Sequence, residues 1–208
     1  MEELIRLAEK IENKELKRKV IEILKDPKLS HEEFKKYPRE DISKVKTPFT
    51  LAGRGTVERG NLIKHIVSVT ELSIKTAECL EKNYGIAINM DHLIAGALLH
   101  DIMKVFEWKI EGNEVRHTGI MLDHSMLAVA ELYHRGFPEE VIHIVASHFG
   151  EAGPTPPRNF EALILHYVDT LASMVEFYFS TPKEQSFQLL LLDEETIKKL
   201  TGEDTEKA

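Results

Sequence analysis

The chain has 208 residues, 42% hydrophobic and 30% charged, which is enough apolar mass for one folded domain and at most two. Its net charge of −8 argues against a wide electrostatic footprint on duplex DNA or an anionic membrane. Cys79 is the only cysteine, which excludes an intrachain disulfide and a cysteine-based zinc site.

The opening stretch, "MEELIRLAEKIENKELKRK", is charged throughout and lacks a signal-peptide core, and no apolar run approaches the roughly 20 residues of a membrane helix. The expectation is a soluble, cytoplasmic chain that does not span a membrane. Leu4, Ile5, Leu7, Ala8 and Ile11, then Leu16, Val20, Ile21 and Leu24, recur at helical spacing and predict helix over 2–25 with a break near Asn13. "SHEEFKKY" reads as a short helix capped by Ser30. Residues 38–60 hold Pro38, Pro48, Gly53, Gly55 and Gly60 and read as a long irregular connection carrying Arg39, Arg54 and Arg59. Loops of that length in compact domains are usually functional.

A long helix follows at about 61–83, capped by Asn61, with Leu62, Ile63, Ile66, Val69, Leu72, Ala77 and Leu80 as its core stripe and His65 on the same face. Asp91 can cap the next helix, which runs to about residue 100. "VFEWKIEGNEVRH" alternates apolar and polar residues around "EGN" and predicts a small β-hairpin near 105–117. Helices are expected at about 122–135, at 138–148 with Pro138 in the opening turn, and at 160–180. The class is mostly α: a single-domain helical bundle with one small hairpin. Residues 1–60 are N-terminal helices and a loop packed on a core at 61–180, and 181–208 are short helices and a frayed tail, all within one globular unit. The amphipathic N-terminal helices could pair two chains into a homodimer.

Ten histidines in a cysteine-poor chain direct attention to metal ligands or acid–base groups. His65, the adjacent pair His100–Asp101, His124, His148 and Asp169 each lie in or beside an apolar stretch of a different helix. Facing helices of a bundle commonly build metal sites this way. A lone histidine on an apolar face is more often a hydrogen-bonded core residue than a ligand. Asp101 could equally cap a helix end, and Asp169 could pair with a lysine. As a set they suit iron, manganese, nickel, cobalt or zinc, and six ligands exceed what one open catalytic ion needs. Two divalent transition ions with Asp101 between them could clamp both oxygens of a phosphoryl displacement.

The order His65, His100–Asp101, His124, His148, Asp169 resembles the HD superfamily of metal-dependent phosphohydrolases. "LLHDIMK" is similar to the superfamily's "LLHDIGK", with Met103 in place of glycine and Lys104 kept. His124 and His148 match the branch that binds two metals. Over residues 59–175 the chain resembles the HD domain of 3′-to-5′ exoribonucleases. It departs from them at Phe149, where they have a second histidine, and at Ser173, where they have an acidic residue. Their nucleic-acid-binding OB domain has no counterpart in the stretch before His65, which argues against processive RNA degradation.

The resemblance implies an HD-type fold and two metals. His65, His100, Asp101 and Asp169 would hold the first and Asp101, His124 and His148 the second, with a metal-activated water attacking phosphorus. Asp101 and Lys104 would be catalytic, Lys104 neutralising a phosphate oxygen. Arg54, Arg59, Arg158 and His117 are candidate substrate contacts, the arginines as bidentate phosphate grips. Arg116 beside His117 is a further candidate for the mouth, and His166 is expected to support the site rather than ligate. The expected activity is phosphodiester hydrolysis on a nucleotide, cyclic nucleotide or short oligonucleotide, RNA or DNA. Two alternatives stay open: a cyclic-phosphate phosphodiesterase of cofactor biosynthesis, such as the HD enzymes acting on a pterin precursor, and a non-catalytic HD module that binds nucleotide or RNA.

Overall fold

The computed structural model describes residues 1–51, 55–112 and 114–180; of residues 50, 51, 55, 57 and 59 it describes the backbone alone. The expected C-terminal short helices and tail therefore lie outside the described residues, as does Arg54. The helices are α1 (Glu2–Ala8), α2 (Lys14–Lys25), α3 (Leu62–Tyr84), α4 (Met90–Leu99), α5 (Lys104–Glu107), α6 (His124–His134), α7 (Glu139–Ala146) and α8 (Phe160–Ser180). Two antiparallel hairpins join them: β1 (Thr47–Leu51) with β2 (Gly55–Arg59), and β3 (Trp108–Glu111) with β4 (Glu114–His117).

The helix breaks follow from local hydrogen bonding. Asn13 ends the first helical run because its side chain accepts from the backbone N–H groups of Glu15 and Leu16, which caps α2. Asn61 does the same for α3 through the Lys64 N–H, and it holds a left-handed φ of 63° to do so.

Three expectations are corrected. Asn89, not Asp91, caps α4, accepting from the His92 N–H. The Asp91 carboxylate instead accepts from the backbone N–H groups of Glu12 (2.7 Å) and Asn13 (2.8 Å), tying the α1–α2 turn to α4. Ser30 does not cap "SHEEFKKY". His31 caps a 3₁₀ turn at Glu32–Phe34, while Ser30 gives both its N–H and its hydroxyl to the buried Glu131 carboxylate of α6. The stretch read as irregular through residue 60 contains the β1–β2 hairpin, with Thr47 opposite Arg59 and Phe49 opposite Val57.

α4 organises the core. All of Leu93 through Leu99 is buried, as expected of a helix apolar on every side. Ile94, Ala95, Leu98 and Leu99 pack with α1, α2, α3 and α6, whereas Leu93 and Ala97 pack with Ile144 of α7 and Leu165 and Val168 of α8. Gly96 permits the approach of α7, because a Cβ there would lie 2.3 Å from the Ile144 Cγ2. The core thus grips α4 on every side and fixes its C-terminal end, where His100 and Asp101 stand. No helix among the described residues is long and apolar enough to cross a membrane.

Candidate metal centre

Five elements deliver six side chains to one place. His65 lies in the first turn of α3, His100 directly follows α4, and Asp101 comes next in the turn before α5. His124 opens α6 behind its cap Asp123, His148 follows α7, and Asp169 lies within α8. Asp101 is at the middle. One carboxylate oxygen (Oδ2) lies 3.3 Å from His65 Nε2 and 3.5 Å from His100 Nε2; the other (Oδ1) lies 3.2 Å from His124 Nε2 and 4.0 Å from His148 Nε2. Asp169 Oδ1 lies 3.0 Å from His65 Nε2 and 3.9 Å from His100 Nε2. The residues therefore divide into two triads that share Asp101, His65–His100–Asp101 and Asp101–His124–His148. Asp169 adjoins the first.

Each imidazole is held from behind. Nδ1–H of His100 donates to the Ala97 carbonyl and that of His148 to the Val145 carbonyl, both at 2.7 Å. His65 Nδ1 faces Glu176 Oε1 at 3.0 Å and His124 Nδ1 faces Glu107 Oε2 at 2.7 Å. These contacts leave all four Nε2 atoms converging on the Asp101 carboxylate. The Nε2 atoms of His65, His100, His124 and His148 and Oδ1 of Asp101 are buried without a partner in hydrogen-bond geometry. Buried polar atoms left so are costly unless a cation takes them. Imidazole lone pairs aimed at shared carboxylate oxygens are a donor set for divalent transition ions.

The electrostatics agree. Burial opposes ionisation of Asp101, but Lys104, His100 and His124 outweigh it and hold the carboxyl well below its usual range. Burial likewise opposes ionisation of Asp169, and the His65 and His100 imidazoles overcome it. Burial disfavours a charged His65, yet Asp169 and Glu176 raise it to about 9, so an ion bound there would replace a proton. His148, beside two other imidazoles and fully enclosed, is pushed down to about 3.

A cleft of about 380 Å³ opens onto this centre. Asp101, Lys104, His124, His148 and Asp169 give it a polar lining; Pro48, Phe49, Trp108, Phe149 and Met174 add apolar surface. Lys104 Nζ lies 2.5 Å from Asp101 Oδ2. Met103, unexpected beside the His–Asp pair, needs no glycine backbone: its φ is −79° and its side chain is buried in the core. Phe149 stacks on His148 with ring centroids 4.2 Å apart. Ser173 Oγ donates to Asp169 at 3.3 Å. His166 lines the cleft and donates from Nδ1 to the His148 carbonyl at 2.8 Å; Gly150, at φ 57°, leaves room for that ring, which a Cβ would approach to 2.2 Å.

The candidate substrate contacts are dispersed. His117, at the end of β4, packs edge-on to Trp108 and lies 4.0 Å from Glu107, one layer behind the cleft wall. Arg116 pairs with Glu111 and Glu114 instead of the mouth. Arg158 is exposed in the loop before α8, where its backbone N–H donates to His143, and it does not line the cleft. Arg59 ends β2, opposite Thr47. Glu107 and Glu176 were not singled out from the sequence. Each had only a spacing to mark it: Glu107 one turn after Lys104, and Glu176 two turns after Asp169.

A helical core presenting His, His–Asp, His, His and Asp around the one Asp101 carboxylate is the arrangement of an HD phosphohydrolase. The model of the HD domain family matches residues 62–174, and the chain belongs to that family. It is accordingly a hydrolase of phosphoester bonds that uses divalent metal. The chain is also similar, at 47% identity over 177 residues, to the dihydroneopterin 2′,3′-cyclic phosphate phosphodiesterase of Methanocaldococcus jannaschii; the match covers 84% of this chain and 70% of that protein. No solved structure matches the chain.

Proposed function

We propose that this chain is a phosphodiesterase that opens a cyclic phosphate on a small molecule bearing a planar fused ring, a dihydroneopterin cyclic phosphate or a close analogue. The observation that carries the reading is the cleft itself: imidazole nitrogens without hydrogen-bond partners, Lys104 and aromatic side chains line one volume suited to a small ligand. Similarity to a phosphodiesterase of that name supports the choice of substrate. The nucleotide and short-oligonucleotide reading shares the chemistry, but a strand of several nucleotides needs a longer groove than this cleft offers.

In this reading His65, His100, Asp101 and Asp169 hold one ion and Asp101, His124 and His148 a second, each manganese, iron, nickel, cobalt or zinc. When bound, such ions supply an activated water and positive charge against the phosphoryl oxygens. The chain supplies the rest. Asp101, ionised and buried, keeps the two triads in register. Lys104 presents a cation to a phosphate oxygen from within the cleft. Phe149, Trp108 and Phe49 offer faces and edges on which a flat ring can pack. A cytoplasmic setting belongs to the same reading, since Cys79 alone forms no intrachain disulfide.

The test is hydrolysis by purified protein loaded with Mn²⁺ or Fe²⁺, comparing dihydroneopterin 2′,3′-cyclic phosphate, 2′,3′-cyclic nucleotides and a short RNA. The pterin is expected to give the highest kcat/KM. A preference for the RNA would overturn the substrate assignment, and failure on every phosphodiester, with bis-p-nitrophenyl phosphate included, would overturn the activity.

A further inference from the structure

The four imidazoles of the centre are anchored in two ways, and the difference follows from where they sit on their helices. His100 and His148 follow the C-terminal ends of α4 and α7. There the last carbonyls have no helical partner, so each ring closes onto the carbonyl three residues back. His65 and His124 occupy the opening turns of α3 and α6, where the free backbone groups are N–H donors. A ring nitrogen that must donate finds no acceptor in its own helix there and needs one from elsewhere. Glu176 of α8 supplies it for His65 at 3.0 Å, and Glu107 of α5 for His124 at 2.7 Å. Each triad thus contains one carbonyl-held and one carboxylate-held imidazole.

Resting on the two-ion reading, we propose that Glu107 and Glu176 are positioning residues that set the affinity of the two halves separately, Glu107 for the Asp101–His124–His148 half and Glu176 for the His65–His100–Asp101 half. Glu107 lines the cleft and Glu176 a small cavity beside Asp101, and in the centre each touches an imidazole; each acts through that ring, fixing its tautomer and the direction of its free lone pair. Glu107 has a further consequence. It ends the four-residue helix that Lys104 begins, so the same short element carries the handle of one metal ligand and the cation aimed at the phosphate. The side chain of Glu107 is 13% exposed and its neighbour His117 lies 4.0 Å away, which leaves the carboxylate little freedom to turn elsewhere.

The measurement is a titration of chelator-stripped protein with Mn²⁺, free ion being followed by its electron paramagnetic resonance signal, for the wild type and for Glu107→Ala, Glu107→Gln and Glu176→Ala. His124→Ala identifies which binding step belongs to its half. The wild type should take up two ions. Glu107→Ala should weaken the step lost in His124→Ala by about 10–100-fold and leave the other unchanged. Glu107→Gln, which keeps an acceptor without the charge, should recover part of that loss, and Glu176→Ala should weaken the opposite step. Glu107→Ala and Glu107→Gln binding both ions as the wild type does would overturn this proposal alone, as would equal weakening of both steps in each variant. A wild type that binds a single ion would overturn the two-ion reading along with it.

Discussion

The polar and apolar linings of the cleft are built from different materials. The polar lining comes mainly from helix termini locked in the core: Asp101 is 1% exposed, and His100 and His148 behind and beside it are fastened to the ends of their own helices. The apolar lining comes from β1, Trp108 at the start of β3, and Phe149 in the turn after α7, which is 37% exposed. The first holds charge and lone pairs in a rigid frame. The second offers shape and apolar area on more exposed elements, and it touches the first where Phe149 stacks on His148.

That division can be attacked most severely at Asp101. Asp101→Ala removes the carboxylate shared by both triads; metal content should fall, and phosphodiester hydrolysis should drop by at least about 10³-fold, read by metal analysis and initial rates. Lys104→Ala should lower kcat by about 10²–10³-fold with metal retained, because Lys104 lines the cleft but is a donor in neither triad. Phe149→Ala should act chiefly on the apolar lining. KM for a pterin cyclic phosphate should rise about 3–10-fold with kcat nearly constant, and bis-p-nitrophenyl phosphate should separate loss of ring packing from damage to His148.

The smallest effect is expected away from the cleft, at Glu131. Burial opposes its ionisation, but Ser30 and Arg135 prevail and hold the carboxyl below its ordinary value of 4.5. A lowered folded value means that the stabilisation is complete above about pH 4.5 and is lost as pH falls through the folded value. Urea unfolding of wild type against Glu131→Gln should show a difference of about 1–2 kcal/mol at pH 7 that shrinks below pH 4.5, with kcat unaffected at pH 7.

The helices and the six converging side chains were legible because helical periodicity and buried ionisable residues leave strong local traces. His65 on an apolar stripe and His100–Asp101 after an apolar run are costly arrangements that demand a reason. What was illegible depends on distant partners. Ser30 looks like a cap until Glu131, 101 residues away, is brought to it. Asp91 stands next to a helix start, yet the turn at Glu12 and Asn13 claims its carboxylate. The β1–β2 hairpin hides behind Pro48 and the glycines around it, since a five-residue pair of strands is too short to impress a period. Glu107 and Glu176 were missed because a glutamate on a helix usually faces water, and nothing local separates the two that do not.

The anchoring of His100 and His148 reaches beyond catalysis. Each of these rings ties off the C-terminal end of the helix that carries it, so the protein uses one side chain both to stop a helix and to grip an ion. Exchanging either histidine for a side chain that could still coordinate but could not reach back three residues would take a donor from a helix-end carbonyl within the core. The vocabulary of replacements open to these two positions is therefore narrower than metal chemistry alone would allow, and narrower than at His65 or His124, whose helices are capped by Asn61 and Asp123.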